Sequence, residues 1–202
     1  MYRLYDYLPS GNGYKVRLLL HQLDIPFELI ELDIVKGLTR TPGFLAKNPN
    51  GRIPTLEVEP GVFLPESNAI LYYLAEGTPF FPTDRLARAQ VVQWMCFEQY
   101  SHEPNIATVR FWVTHGLLTP ERRALLEQKT IFGYAALGVM EQHLAARTFF
   151  VGERYSIADI ALYAYTHVAA EGGFDLAPYP AIGSWLERVR RQPRHVPITQ
   201  RG

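Results

Sequence analysis

Hydrophobic and polar residues follow two different periodicities over the first part of the chain, one typical of strands and one typical of helices. Residues Tyr2–Tyr7 form an aromatic-rich, strand-like stretch, and apolar side chains then recur at helical spacing from Val16 to Leu23. Strand character returns over Phe27–Leu32. The order strand–helix–strand predicts a βαβ unit, whose two strands are parallel and joined by a right-handed crossover.

A second group of elements follows an irregular stretch in which Thr41-Pro42 marks a helix start. The strand-like stretches Thr55–Val58 and Val62–Leu64 flank a Glu-Pro-Gly turn, which is typical of a hairpin. Ser67 is the predicted N-cap of the next helix, and Gly77 ends that helix. Together these elements predict an α/β domain of order βαβ-α-ββα with a mixed four-stranded sheet.

The second part of the chain carries only helical periodicity. One long helix is predicted over about residues 85–113, kinked at Pro104, and a second over about residues 120–147. Ser156 and Asp159 form an S-x-x-D capping box at the start of a further helix. No strand pattern of any strength follows the hairpin, so an all-helical bundle is predicted.

This change of periodicity divides the chain into two predicted domains. Residues 1–77 form the α/β domain, residues 78–83 a linker, and residues 84–202 the helical domain. We expect a small-molecule site between the two domains.

Composition and charge exclude several classes of protein. Hydrophobic residues make up 48% and charged residues 20% of the 202 residues, which is enough apolar material for a packed core. The 20 basic and 20 acidic residues leave no net charge, so the totals give no sign of a nucleic-acid-binding face. The single cysteine, Cys96, allows no internal disulfide and is expected to be a buried small hydrophobe. No window reaches the roughly 18 apolar residues of a membrane span, and no signal peptide is evident, so we expect a cytoplasmic protein.

The turn Ser10–Lys15 is the first segment whose residues could bind a ligand or take part in a reaction. It lies between a strand end and a helix start, where free backbone N–H groups favour an anion, and Ser10 and Asn12 add side-chain donors. The phosphate-binding pattern G-x-G-x-x-G fails because Val16 stands where its third glycine would be. The alternative is an ordinary turn in which Asn12 is the N-cap.

The second and third segments lie around Ile53-Pro54 and Glu66-Ser67. A proline just before a strand invites a cis peptide bond, which would turn the Ile53 backbone outward to pair with an extended peptide. Glu66 and the helix start at Ser67 could hold the ammonium and carboxylate of an amino acid. The alternatives are a trans proline at a strand start and a plain N-cap. Taken together, the three segments predict one site for a short peptide with a free amino-acid end.

These segments resemble those of cytosolic-type glutathione transferases. The likeness covers nearly the whole chain and lies in Ser10–Lys15, Asn48–Pro54, Glu66–Ile70 and the box from Ser156 to Asp159. The loop with serine and asparagine is most similar to bacterial serine/asparagine members, notably the nu-like group. The resemblance implies a thioredoxin-like first domain, a helical second domain, a homodimer, and chemistry that needs no metal.

The resemblance also implies how glutathione, the co-substrate, would be bound. The cysteinyl backbone would pair with Ile53 beside cis-Pro54, and the γ-glutamyl end would be held by Glu66 and Ser67.

Other residues would meet the glycyl end and the thiol. Lys36 and Arg52 are candidates for the glycyl carboxylate. Ser10 and Asn12 would favour the thiolate, with Asn12 as the main group and Ser10 assisting. Tyr7 lies roughly where tyrosine-type members keep a catalytic hydroxyl and is the alternative, although a core tyrosine at a strand end is the simpler interpretation.

The thiolate would attack a hydrophobic electrophile, a peroxide or a disulfide held by the helical domain. The candidate residues for this second substrate mix aromatic and polar character along the kinked helix: Tyr100, Asn105, Arg110 and Phe111. At this helical spacing, the alternative for most of them is a core or dimer contact. A different class of function is also open, because the same fold serves as a non-catalytic module in regulators and translation complexes.

Overall fold

A computed structural model describes residues 1–201 and separates the chain into two compact units. The first unit comprises Met1–Thr78 together with the tail segment, residues 193–201, and the second unit comprises Pro79–Gln192.

The first unit is built on a mixed four-stranded sheet, as the sequence predicts. Its elements are β1 (Tyr2–Asp6), α1 (Gly11–Gln22), β2 (Phe27–Glu31), α2 (Pro42–Leu45), β3 (Thr55–Glu59), β4 (Val62–Pro65) and α3 (Ser67–Ala75). The strand order is β2-β1-β3-β4, with β1 parallel to β2 and antiparallel to β3, and β3 antiparallel to β4. The βαβ unit and the hairpin are confirmed, and the arrangement is thioredoxin-like.

The core of this unit lies between the sheet and helices α1 and α3. Leu4 and Leu56 come from the central strands, and Leu18 and Ile70 come from the two helices; all four are fully buried. Burial of side chains of this size stabilises a fold by about 1.5–3 kcal/mol each, so this layer fixes how α1 and α3 lie on the sheet.

The start of α3 differs from the prediction that Ser67 is its N-cap. The N-cap is Glu66, whose φ is 71°, and Ser67 is the first helical residue. The Glu66 side chain makes no capping hydrogen bond to the first turn of this helix. A side chain inside the first turn does not face that turn's own N–H groups, and the Ser67 hydroxyl instead has the partners described below.

The second unit is helical, as predicted. Its α-helices are α4 (Arg85–Phe97), α5 (Glu103–Thr114), α6 (Pro120–Leu144), α7 (Ile157–Thr166) and α8 (Pro180–Arg190). Among the described residues, no helix is both long enough and apolar enough to cross a membrane.

The long helix predicted over residues 85–113 is interrupted before its proline. A π-helical turn, Glu98–His102, separates α4 from α5, and Pro104 lies in the first turn of α5. Because a proline ring clashes with the carbonyl four residues earlier, the helix widens there, and the Glu103 N–H reaches back to the Glu98 carbonyl. Cys96 is exposed rather than buried.

The capping box at α7 is confirmed and sits in a buried polar cluster. The Ser156 N–H donates to Asp159 at 3.0 Å, and the same carboxylate accepts from the Phe150 N–H at 3.1 Å and from Trp185 Nε1 at 2.9 Å. Complete burial raises the pKa of Asp159 to about 6 despite these donors.

Asp159→Asn is expected to be less damaging at neutral than at acid pH. Because the folded-state pKa of Asp159 is raised, the folded protein binds the proton more tightly, and wild-type stability falls as pH rises from about 4 to 6. The asparagine variant lacks this loss, so its destabilisation should shrink by up to about 3 kcal/mol between about pH 4 and pH 7.5. Urea unfolding of both proteins across this range measures the difference, and parallel stability curves would contradict the assignment.

Candidate functional site

Ser10 is the N-cap of α1, so the alternative that Asn12 caps this helix is wrong. The Ser10 hydroxyl accepts a hydrogen bond from the Gly13 N–H at 3.4 Å, and the Ser10 N–H donates to the Tyr7 carbonyl at 2.8 Å. Ser10 and Asn12 are both partly exposed on the first turn. A hydroxyl that accepts from the helix still has its own proton to donate, so this turn can offer hydrogen bonds to an anion.

Gly13 lets α1 approach the end of β1. A Cβ at this position would collide with the carboxylate of Asp6, which is fully buried and ion-paired with the buried Arg17 at 2.9 Å. Burial raises the pKa of Asp6 to about 6, and the neighbouring guanidinium limits the rise. The glycine is therefore required by a close approach of helix to strand.

The starts of α1 and α3 meet through side chains. The Ser67 hydroxyl donates to Asn12 Oδ1 at 3.4 Å and accepts from the fully buried Lys15 Nζ at 3.3 Å. Each helix N-terminus carries a partial positive charge, so two adjacent N-termini favour carboxylate or thiolate groups. Sequence reasoning missed Lys15, because a lysine beside an apolar helical stripe has no pattern that distinguishes it from a surface residue.

The Ile53–Pro54 peptide bond is cis, as the sequence predicts. The ladder with β1 begins only at Thr55, and no hydrogen bond between residues 1–201 involves the Ile53 backbone. The buried Asn48 fixes the segment by donating to the Arg52 carbonyl at 2.8 Å and to the Thr55 hydroxyl at 3.2 Å. This leaves one backbone N–H and one C=O at the end of β3 for an added peptide. Asn48 was missed as a positioning residue, since its motif indicates only a turn.

Glu66 is exposed and has a backbone conformation that few residues with a side chain adopt. Its φ of 71° lies in the left-handed region, which costs of order 1–3 kcal/mol outside glycine and is found preferentially at functional sites. No sequence pattern predicts this backbone conformation at a glutamate.

The two candidates for the glycyl end have different surroundings. Lys36 lies in the loop after β2, is 78% exposed, and forms an ion pair with Asp33 at 3.2 Å. Arg52 is exposed next to Ile53, and its side chain makes no hydrogen bond or ion pair with any residue from 1 to 201. Arg52 is the cation better able to accept a new carboxylate.

The four candidates for a second substrate also differ from one another. Tyr100 is 88% exposed on the π-helical turn, and Phe111 packs on a neighbouring histidine ring with centroids 4.3 Å apart. Asn105 is buried and donates to a carbonyl one turn earlier at 2.7 Å, and Arg110 is buried and paired with Glu171 at 2.7 Å. Asn105 and Arg110 therefore have structural partners inside the second unit, and contact of the four with a substrate stays a prediction.

Within residues 1–201, no group of three or more histidine, cysteine, aspartate or glutamate side chains is arranged to hold a metal ion.

Comparison with known proteins matches both units to one family. The sequence model described as the glutathione S-transferase N-terminal domain matches residues 1–76, and that for the C-terminal domain matches residues 111–193. A crystal structure of a glutathione S-transferase from Pseudomonas fluorescens Pf-5 has 54% sequence identity and a TM-score of 0.96, covering 98% of this chain and 99% of that one. The chain belongs to the glutathione S-transferase family.

Two further relatives bear on the chemistry of this glutathione S-transferase family member. The disulfide-bond oxidoreductase YfcG of Escherichia coli K12 is 32% identical over 194 residues, which is 93% of this chain and 89% of YfcG. A glutathione transferase family member from P. fluorescens Pf-5, crystallised with two glutathione bound, has 29% identity and a TM-score of 0.83, covering 96% and 89% of the two chains.

One relative belongs to a different functional class. Elongation factor 1-gamma-B of Xenopus laevis is 33% identical over 198 residues, or 94% of this chain, but the chain spans only 44% of that protein. Proteins of more than one functional class are therefore related to this chain.

Proposed function

We propose that this protein binds reduced glutathione on its first unit and ionises the thiol for nucleophilic attack. The observation that carries the proposal is the contact between Ser67 and Asn12 at 3.4 Å, which joins the two segments that the sequence separately nominates for an amino-acid end and a reactive atom. Glutathione offers both groups in one short peptide.

The tripeptide lies extended beside the end of β3. Its cysteinyl N–H and C=O pair with the Ile53 backbone, as an added strand does. The γ-glutamyl carboxylate faces the start of α3 at Ser67, and its ammonium faces Glu66. Arg52 holds the glycyl carboxylate, and Lys36 adds positive charge only if it leaves Asp33.

Hydrogen bonds at the start of α1 supply the chemistry. A free thiol has a pKa near ~8.5 and is mostly protonated at neutral pH. Donors from Ser10 and Asn12, with the positive end of α1, favour the thiolate, and a depression of about 2 units requires about 2.7 kcal/mol. That amount is within reach of two hydrogen bonds to a charged acceptor, each contributing about 1.5–3 kcal/mol.

Three reactions can follow from the thiolate. In peroxide reduction, the sulfur attacks one peroxide oxygen, the other oxygen leaves and takes up a proton as the alcohol, and a second glutathione converts the sulfenic acid to oxidised glutathione and water. In conjugation, the sulfur forms a bond to an electrophilic carbon and a leaving group departs with its electron pair. In disulfide reduction, the sulfur attacks one disulfide sulfur and the other leaves as a thiolate; a second glutathione then releases oxidised glutathione. The likeness to YfcG favours disulfide reduction as the second candidate. Turnover of an aryl halide, a hydroperoxide and a glutathione mixed disulfide by the same preparation decides among them.

The ionisation state of the thiol of bound glutathione distinguishes a catalytic role from a purely structural one. We expect retention on immobilised glutathione and thiolate absorbance from the bound co-substrate at neutral pH. A protein that binds glutathione with its thiol still protonated, and that turns over none of the three substrates, would be a binding module instead.

Glu66→Gln is expected to weaken glutathione binding about tenfold, because the α-ammonium loses a charged acceptor. Titration calorimetry measures the affinity. The matched control is Glu59→Gln at the exposed end of β3, which should leave the affinity unchanged. A glutathione analogue lacking the α-amino group should bind both Glu66 forms equally. If Glu66→Gln lowers the affinity for this analogue as much as for glutathione, the assignment is wrong.

We also propose a homodimer. Helices α4 and α6 carry exposed large apolar side chains, with Leu86 66%, Ile131 58% and Phe132 51% exposed. Ile131 and Phe132 are neighbours on α6, and contiguous exposed apolar surface is typical of interaction sites. Sedimentation velocity should give twice the chain mass of 23.1 kDa, and Leu86→Lys should shift the protein toward the monomer. A wild-type monomer at micromolar concentration would exclude a stable dimer.

A further inference from the structure

Arg17 connects parts of the first unit that are far apart in sequence. Its side chain is fully buried and donates through Nε to Asp6 at 2.9 Å and through Nη2 to the Leu8 carbonyl at 2.6 Å. Its Nη1 donates to the carbonyls of Ile198 and Gln200, both at 2.7 Å. One guanidinium therefore joins the end of β1, the turn before α1, and the tail segment.

The tail segment has further attachments to the same helix. The hydroxyl of the buried Tyr14 donates to the Val196 carbonyl at 2.7 Å and lies 3.3 Å from His195 Nε2. The Arg17 guanidinium lies over the Tyr14 ring, 5.7 Å from its centroid. Tyr14 and Arg17 are one turn apart on α1, so the tail segment is bound along one side of the helix whose start carries Ser10 and Asn12.

We propose that Arg17 is a positioning residue for the thiol-binding turn, and that the tail segment holds Arg17 in the position this requires. Leu8 is two residues before Ser10, and the turn between them is closed by the bond from the Ser10 N–H to the Tyr7 carbonyl. A fixed Leu8 carbonyl on one side and Asp6 against Gly13 on the other hold the first turn of α1 in place. The role assigned to the thiol rests on the proposed function.

The tail segment matters because a buried guanidinium needs acceptors for its donors. Removing the tail segment would take away both protein acceptors of Nη1, the Ile198 and Gln200 carbonyls, and leave water as their replacement. The side chain then gains by turning toward water, and the bond to Leu8 is lost with it. Ser10 and Asn12 would remain in the sequence but lose the fixed geometry that stabilises a thiolate.

The test compares a chain ending at Gln192, which lacks the tail segment, with a control ending at Arg201, which retains the backbone carbonyls that accept from Tyr14 and Arg17. Arg17→Lys is a second variant, because lysine can still pair with Asp6 but cannot also reach Leu8 and the tail segment. Thermal unfolding establishes that each variant is folded. Should the shortened chain not fold, the lysine variant alone carries the test.

Two measurements report on the turn. Amide hydrogen exchange at Ser10 needs no ligand and should become at least about tenfold faster in the Gln192 chain and in Arg17→Lys. The thiol pKa of bound glutathione should rise by about one unit, a tenfold loss of thiolate, while the affinity for S-hexylglutathione, which has no free thiol, changes less than about threefold. A loss of overall structure would instead lower the affinity for glutathione and the affinity for S-hexylglutathione together.

The outcomes separate this proposal from the proposed function. Unchanged Ser10 exchange and an unchanged thiol pKa in a folded variant would overturn it. Accelerated Ser10 exchange in variants of a protein that binds no glutathione even in its wild-type form would support the role of Arg17 in fixing the turn and reject the glutathione function alone.

Discussion

Arg17→Met is expected to lower the free energy of unfolding by about 3–5 kcal/mol, because it leaves the buried carboxylate of Asp6 without its cation. The carbonyls of Leu8 and Ile198 would lose a buried donor at the same time. Urea unfolding at neutral pH measures the effect. The matched control is Arg3→Met, whose ion pairs with Glu28 and Glu57 lie near the surface, where water screens them, so this substitution should change the free energy of unfolding far less.

The pH dependence of this variant gives an independent check. In the wild type, the guanidinium holds the pKa of Asp6 below the value that burial alone would give, yet the pKa is still raised to about 6. In Arg17→Met the carboxyl binds its proton more tightly, so the penalty grows as pH rises above about 6 and is smaller below it. A penalty that is the same at about pH 4.5 and pH 7.5 would mean that the ion pair is not its source.

The double substitution Ser10→Ala/Asn12→Ala is expected to lower kcat/KM about 100-fold at neutral pH. This corresponds to about 2.7 kcal/mol of lost thiolate stabilisation, with the thiol pKa of bound glutathione returning toward ~8.5. Stopped-flow absorbance of the thiolate and steady-state turnover measure the two effects. The rate should recover at alkaline pH, where the thiol ionises unaided.

The single variants separate the two residues. Asn12→Ala should reduce turnover more than it reduces binding, and Ser10→Ala should reduce turnover less but also cost about 1 kcal/mol of stability as a lost N-cap. Ser10→Thr, which keeps a capping hydroxyl, is the control for that stability term. An unchanged rate in Asn12→Ala would remove Asn12 from the thiol site and return attention to Ser10 and Tyr7.

The parts of the fold that the sequence predicts are those set by local patterns. Three such features depend on only a few adjacent residues: the strand alternation, the Glu-Pro-Gly turn and the capping box at Ser156. All three appear in the structure. The cis bond before Pro54 is also a local feature. The π-helical turn is a partial exception, since Pro104 predicts an irregularity but not its form.

The parts that could not be predicted depend on contacts between distant residues. Lys15 and Arg17 are of residue types that usually lie on the exposed face of a helix. Only the packing of α1 shows that both side chains are fully buried. The left-handed backbone at Glu66 has no sequence mark. The tail segment is bound to α1 through backbone carbonyls, those of Val196 and Ile198 among them. Because every residue has a backbone carbonyl, no sequence pattern predicts this contact.

The central claim is that glutathione pairs with the open backbone at Ile53 and directs its sulfur to the start of α1. The most direct test is a crystal structure of the protein grown with reduced glutathione. It should show the cysteinyl N–H and C=O bonded to Ile53 at about 2.9 Å, with the sulfur within hydrogen-bond reach of Ser10 or Asn12. An Ile53 backbone bonded only to water at saturating glutathione, or a sulfur pointing away from α1, would contradict the account.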